Sequence, residues 1–236
     1  ANQKFDYIMA NPPFNLSNWG QDKLQNDPRW SYGLPPAGNA NYAWIEHMIY
    51  HLAPNGKIGL VLANGALSTQ TSGEGEIRRK IIEADLIEGI VAMPTQLFYS
   101  VTIPVTLWFI SRGKKQPGKT LFIDARNMGH MVDRKHRDFS EEDINRLADT
   151  FTAFQNGKLQ DEKGFCAVVK TEDIAKQDYI LTPGRYVGIE EKEEDDEPFA
   201  DKMNRLTTEL GGMFAKSHEL EEEIKKNLAG IGWKIN

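Results

Sequence analysis

The chain has one cysteine, Cys166, and its uninterrupted apolar runs are short, as in residues 58–63. A single cysteine cannot form an internal disulfide, which fits a reducing cytoplasm. A membrane-spanning helix needs about 18 consecutive apolar residues, and the first residues contain no apolar signal region. The sequence therefore predicts a cytoplasmic protein that makes no use of a membrane.

An excess of positive charge is also missing. The net charge is −6, yet residues 1–189 hold 21 basic and 21 acidic side chains, so the acidic surplus lies in residues 190–236. Groups of basic side chains in the body could contact phosphates, and they fit a solvated loop face at least as well. They are Arg112, Lys114, Lys115 and Lys119, then Arg126, then Arg134, Lys135 and Arg137.

The hydrophobic pattern over residues 1–125 alternates between strands and helices. Helices that link successive strands indicate parallel pairing, so the pattern predicts an α/β fold with a doubly wound sheet. Ligands of such sheets bind beyond the carboxyl ends of the strands. The predicted strands are 5–10 (short and buried), 57–63, 86–92, 105–111 and 121–124, and the predicted helices are 42–53 and 74–84.

The remaining residues divide into three further segments. Residues 126–189 are predicted as a mixed α/β extension containing a helix over 141–155 capped by Ser140. Residues 190–198 are an acidic linker, and residues 199–236 are predicted as a helical arm. Apolar residues in the arm follow coiled-coil spacing, while Gly211-Gly212 predicts a break or bend. Such a stripe packs either on the protein's own core or on a partner's helix, and the acidic linker favours the partner.

The strand at residues 5–10 leads into Asn11-Pro12-Pro13-Phe14. An amide oxygen on Asn11 and a stiffly held carbonyl on Pro12 can accept both hydrogens of an aromatic amine, which draws the nitrogen lone pair out of the ring. Phe14 adds a face on which a base flipped out of DNA can stack. Although an Asn-Pro turn after a strand is common, the order of strand, abrupt stop and aromatic favours methyl transfer to an amine.

With these residues the sequence resembles the amino-methyltransferases that carry an Asn-Pro-Pro-Phe/Tyr motif, specifically the modification subunits of type I restriction–modification systems. The similarity extends through residues 52–67, 77–79, 93–98, 107–110 and 179–186. It implies adenine-N6 DNA methylation with S-adenosylmethionine, on part of a Rossmann-like methyltransferase sheet with flanking helices and a C-terminal helical arm. Residues 1–125 would then be the catalytic half of the methyltransferase domain.

The resemblance also assigns roles to residues. Asn11, Pro12, Pro13 and Phe14 would be catalytic, and Asn11 would also touch the edge of the cofactor. A second aromatic that packs on the extruded adenine matches Phe98 best, with Tyr99 as competitor and a core aromatic as the equal alternative. The glycine-rich loop and acidic residue that hold S-adenosylmethionine in this family have no match here, so we expect most of the cofactor pocket to lie outside this chain, and the chain alone to be inactive.

No metal is expected: His47 and His51 stand four residues apart on a predicted helix, but no third ligand is evident and helix packing explains them. The partners implied by the resemblance are DNA, a specificity subunit held by residues 199–236, a restriction subunit and a second modification subunit. Two alternatives stay open. One is a non-catalytic assembly module that binds a specificity subunit, and the other is a glutamine-N5 protein methyltransferase, which usually has Tyr at the position of Phe14.

Overall fold

The computed structural model describes residues 3–98, 103–189 and 198–233. The chain divides into two compact units, residues 1–190 and residues 191–236. The first unit contains the sheet and the Asn-Pro-Pro-Phe turn, and the second contains the helical arm.

One mixed sheet forms the centre of the first unit. Its order is β1-β2-β4-β3-β5-β8, with β1 parallel to β2, β3 parallel to β5, and the other neighbours antiparallel. The strands β1, β2, β3 and β5 consequently run in the same direction and end at one edge, here called the carboxyl edge. The strands are β1 (Phe5–Ala10), β2 (Leu52–Ala63), β3 (Ile87–Ala92), β4 (Val105–Ser111), β5 (Lys119–Asp124), β6 (His130–Met131), β7 (Arg137–Asp138) and β8 (Cys166–Lys170), of which β6 and β7 form a separate hairpin.

Helices cover both faces of the sheet. Apolar residues of α1 and α2 pack with Ile58, Leu60 and Trp108 in the larger core cluster. Phe154 of α3 belongs to a second cluster that includes Leu121. The helices are α1 (Asn41–His51), α2 (Glu74–Glu83), α3 (Glu141–Gln155), α4 (Thr171–Ala175) and α5 (Phe199–Gly230). The predicted α/β class is confirmed.

Strand β1 was predicted as buried, and this prediction is wrong. Tyr7 is 80% exposed and Met9 is 90% exposed. Among the described residues β1 pairs with β2 alone, so one side of its hydrogen-bond ladder and much of one face are uncovered. A short apolar run shows that a strand can be buried, but it does not show whether another strand or helix packs against it.

Strand β2 is longer than predicted. It begins at Leu52 and contains Pro54-Asn55-Gly56, which lies between the predicted helix 42–53 and the predicted strand 57–63. Its pairing with β1 is irregular between Phe5 and Tyr7, where a proline can be accommodated. The sheet also gains β8, a strand whose bounds were not predicted within the mixed α/β extension of residues 126–189.

In the second unit, α5 runs without interruption through Gly211 and Gly212, so the predicted break is wrong. The cost of two glycines, about 1 kcal/mol each, is offset by a helix of 32 residues. Its apolar stripe is exposed, with Phe199 79% and Met213 66% exposed. Among the described residues, no helix combines the length and the apolar character needed to span a bilayer.

Candidate active site

The Asn11–Phe14 turn lies directly beyond the last residue of β1, at the carboxyl edge. The Asn11 side chain is exposed. Neither its amide nor the Pro12 carbonyl has a hydrogen-bond partner within the described parts of the chain. Asn11 lines an open groove of about 390 Å³, a volume in the range of small-molecule sites. The turn is therefore accessible, and its two acceptors are free to bind a ligand.

Phe14 and Phe98 come together at this edge. Their ring centroids are 6.4 Å apart and their planes are inclined at 71°. Both rings are half-buried and pack on the second core cluster, so each presents part of its surface outward. The competitor Tyr99 lies outside the described residues. The fold thus brings together the two aromatics that were predicted to hold the base, although their role stays a prediction.

The position of Phe14 is fixed by its neighbour Asn15. Asn15 has a left-handed backbone, φ 54°, which asparagine tolerates better than most residues. Its backbone N–H donates to Asn41 Oδ1 at 3.0 Å, and Asn41 Nδ2 donates to Asn15 Oδ1 at 2.9 Å. Asn41 is 1% exposed, so this pair of bonds ties the turn to the first residue of α1. Asn41 was not predicted as a site residue, although a polar residue at the first position of a largely buried helix was a usable signal.

Phe98 is held by the loop that follows β3. Within this loop Gln96 has φ 67°, a left-handed conformation that side chains rarely adopt. The Gln96 carbonyl accepts from the Arg137 backbone N–H at 2.9 Å. The Arg137 guanidinium in turn donates to the carbonyls of Met128 and Gly129, at 3.0 Å each. These contacts join the Phe98 loop to the foot of the β6–β7 hairpin.

The long segment between Phe14 and α1, residues 15–40, is packed by its own aromatic residues. Trp19 and Trp30 are in edge contact with centroids 5.6 Å apart, and Trp19 Nε1 donates to the Pro36 carbonyl. Glu46 of α1 anchors the segment, because its Oε2 accepts from the Tyr32 backbone N–H at 2.9 Å. Burial raises the pKa of Glu46 to about 7.

The two histidines of α1 make ordinary structural contacts. Their ring centroids are 4.7 Å apart. His47 Nδ1 lies 2.8 Å from Arg29 Nη1, and His51 Nδ1 lies 2.8 Å from the Gln3 carbonyl. The described segments contain no group of three or more side chains placed to hold a metal ion.

Comparison with known proteins gives concordant matches. The profile of the N-6 DNA Methylase family matches residues 1–195. The HindI type I restriction enzyme methylase subunit of Haemophilus influenzae is 55% identical over 233 residues, which cover 98% of this chain and 53% of that protein. The MjaIX methylase subunit of Methanocaldococcus jannaschii is 46% identical, over 97% of this chain and 43% of that protein.

A solved structure agrees with these matches. The type I restriction–modification methyltransferase subunit from Streptococcus thermophilus superposes with a TM-score of 0.72 at 26% identity, covering 80% of this chain and 39% of that one. The chain therefore spans about half the length of the relatives that it matches. With the family profile covering most of its length and the carboxyl-edge turn in place, the chain belongs to the N-6 DNA Methylase family.

Proposed function

We propose that this chain carries the catalytic half of an adenine-N6 DNA methyltransferase that acts as the modification subunit of a type I restriction–modification complex. One observation supports this most directly. The free acceptors of Asn11 and Pro12 lie at the carboxyl edge where Phe14 and Phe98 meet. Membership of the N-6 DNA Methylase family supports the same reaction.

The acceptors act on the target amine. The adenine N6 nitrogen is a poor nucleophile because its lone pair is delocalised into the ring. Asn11 Oδ1 and the Pro12 carbonyl each accept one amine hydrogen, which pulls the nitrogen towards a tetrahedral geometry and frees the lone pair for attack. Both acceptors are uncharged and are held in place before the substrate binds, so little reorganisation is needed.

The two aromatics hold the extruded base. Since their planes are inclined at 71°, a base cannot lie face-on to both rings. We assign the face of Phe14 to stacking, with the edge of Phe98 closing the side of the pocket. Stacking of a base on an aromatic side chain contributes about 1–3 kcal/mol, which offsets part of the cost of removing the base from the duplex.

S-adenosylmethionine would supply an electrophilic methyl group on a sulfonium. The groove beside Asn11 fits only one edge of this cofactor, because Asn11 is its one polar side chain and its other lining residues include Met9, Val61, Leu107 and Phe109. The cofactor's ammonium, carboxylate and ribose hydroxyls require polar partners. We infer that these partners belong to polypeptide corresponding to the part of the longer relatives outside the match.

The proposed assembly follows the relatives' description as type I restriction enzyme subunits. DNA binds at the carboxyl edge, and the exposed stripe of α5 holds a specificity subunit, with a restriction subunit and a second modification subunit in the same complex. A DNA-modifying role and the single cysteine together favour the cytoplasm.

The test uses the full-length modification subunit assembled with its specificity subunit, on unmethylated duplex containing the target. Asn11→Ala should lower the rate of radiolabelled methyl transfer about 100-fold or more, since it removes a pre-organised hydrogen-bond acceptor. Asn11→Asp retains an acceptor and should lose less. Asn26→Ala, an exposed asparagine of the 15–40 segment, is the matched control. If Asn11→Ala methylated DNA at the wild-type rate, the proposed reaction would be excluded.

A further inference from the structure

The fold places the basic groups of the sequence at opposite edges of the sheet. Residues 112–118 join the end of β4 to the start of β5, so Lys115 lies at the edge away from Asn11. In that group Lys114 is paired with Asp85, and Arg112 donates to the Ile49 carbonyl. The β6–β7 hairpin follows the carboxyl end of β5 and therefore lies at the same edge as Asn11.

The hairpin is connected to the loop that carries Phe98. The Arg137 backbone N–H donates to the Gln96 carbonyl at 2.9 Å, and Gln96 is two residues from Phe98. An extended residue spans about 3.3 Å. Adding the two residues from Arg137 to Lys135 puts the hairpin tip within about 20 Å of Phe98, a distance of roughly six base pairs of duplex at 3.4 Å each.

Backbone hydrogen bonds fix the hairpin tip. The Val132 N–H donates to the His136 carbonyl at 2.9 Å. Asp133 Oδ1 accepts from the backbone N–H groups of Lys135 and His136, at 2.6 and 2.9 Å. The Asp133 carboxylate is thus occupied within the turn, where the His136 ring also contacts it.

Two cations project from this tip. The side chains of Arg134 and Lys135 are exposed and make no hydrogen bond or ion pair within the described residues. The nearest other carboxylate along the chain is that of Asp138 in β7, whose Oδ1 accepts from the Phe139 backbone N–H at 2.8 Å. Glu141 and Glu142 belong to the first turn of α3 at the foot of the hairpin. Two unpaired cations on a hydrogen-bonded turn, at the edge of the sheet where the base is proposed to bind, have the chemistry that recognises phosphate oxygens.

We propose that the β6–β7 hairpin binds the DNA backbone next to the target adenine, with Arg134 and Lys135 contacting phosphates. This inference rests on the proposed function and extends it to the surface that positions the duplex. The contacts orient the duplex over the Phe14–Phe98 pair without reading its sequence.

The experiment compares two double variants of the full-length modification subunit assembled with its specificity subunit. The affinity for a target-containing duplex is measured as a function of KCl concentration. Each phosphate contact contributes about 0.9 to the slope of log affinity against log salt. Arg134→Ala/Lys135→Ala should therefore reduce that slope by about 1.8.

The matched control is Lys115→Ala/Lys158→Ala. Both lysines are exposed. Lys158 follows α3 where Gln116 contacts the Gln155 carbonyl, at the edge away from Asn11. This control should leave the slope unchanged. An unchanged slope in the hairpin variant, or an equal reduction in both variants, would overturn the inference. Arg134→Gln/Lys135→Gln repeats the test with less change in side-chain volume.

Asn11→Ala in the same assembly separates this inference from the proposed function. If Asn11→Ala abolishes methylation and the hairpin variant keeps the wild-type salt slope, the hairpin inference alone fails. If Asn11→Ala methylates normally, the proposed reaction fails, and with it the reason to orient DNA here.

Discussion

Asn41 is a buried amide that holds the Asn11–Phe14 turn through Asn15. Its two hydrogen bonds with Asn15 fix the residue that directly follows Phe14. Since Asn15 holds a left-handed backbone, loss of these bonds leaves the turn free to relax. The direction of the Phe14 ring depends on that turn. Asn41 is therefore a positioning residue in the proposed reaction.

Asn41→Ala should lower kcat for methyl transfer by at least tenfold and the free energy of unfolding by about 1–3 kcal/mol, because it removes buried hydrogen bonds. Methylation kinetics and urea denaturation of the assembled and isolated subunit measure the two effects. KM for DNA should change less than kcat, because the substitution leaves the hairpin and its proposed contacts with the DNA phosphates unchanged.

A stability-matched control separates misplacement from general weakening. Thr120 Oγ1 donates to the Ile87 carbonyl at 3.0 Å in the core, at the start of β5. Thr120→Val should cost comparable stability and leave kcat near the wild-type value. Equal losses of kcat in Asn41→Ala and Thr120→Val would show that Asn41 has a structural role alone.

At this scale the sequence predicted residues that are contiguous or belong to a familiar motif. Asn11, Pro12 and Phe14 adjoin one strand, so their common location follows from the chain itself. Phe98 was identified through family resemblance, and its contact with Phe14 depends on the return of the chain through β3. Asn41 was missed because it acts through its contact with Asn15, which lies at the other end of a long loop. A local sequence pattern does not predict such a contact.

The helix α1 and the 15–40 segment are coupled through a buried carboxylate. Glu46 is fully buried, and within the described residues its Oε1 has no partner while its Oε2 accepts from Tyr32. Burial raises the pKa of this carboxyl group to about 7. The folded protein therefore favours the protonated, neutral form of Glu46.

This coupling predicts a dependence of stability on pH. The folded pKa of Glu46, about 7, lies above the ordinary value of 4.5, so the folded state holds a proton that the unfolded state releases. Its contribution to the free energy of unfolding is complete below pH 4.5, declines as the pH rises to about 7, and then stays constant. The decline should be roughly 3–4 kcal/mol, at about 1.4 kcal/mol per pKa unit.

Glu46→Gln isolates this contribution, because glutamine keeps the shape and does not titrate. The difference in free energy of unfolding between variant and wild type, measured by urea denaturation from pH 4.5 to 8, should move in favour of Glu46→Gln up to about pH 7. Glu83→Gln is the control, because it makes the same substitution at an exposed carboxylate, at the end of α2. A pH-independent difference for Glu46→Gln would contradict the assignment.

Elements with strong local signals were predicted well. The β4 strand and α3 have the predicted bounds, since a short, nearly continuous apolar run defines the first and Ser140, through its capping box with Asp143, defines the second. The exposure of β1 and the position of β8 in the sheet were not predicted, because both depend on which strands lie alongside. Local propensity does not contain that information.

On the scale of the whole molecule, the chain consists of two units with different surfaces. The described part of the first unit encloses two apolar clusters, whereas α5 in the second unit has no buried residue. A helix with an exposed apolar stripe at coiled-coil spacing is suited to pack against another helix. The proposed occupant is the specificity subunit.

Leu206→Asp/Leu210→Asp should release the specificity subunit in co-purification, because two charges would enter the apolar contact. Glu222→Ala/Lys226→Ala changes polar residues of the same helix and should preserve the complex. Circular dichroism checks that both variants keep the helix. Retention of the specificity subunit by the aspartate variant would show that the stripe is not the binding surface.

The uncovered side of β1 has a consequence for handling the protein. A strand with one unpaired row of backbone N–H and C=O groups, flanked by exposed apolar side chains, is a template for adding another strand. Because Tyr7 and Met9 lie on it, preparations of this chain should oligomerise or precipitate as concentration rises. Tyr7→Lys places a charge on this edge and should delay that loss of solubility in light-scattering measurements.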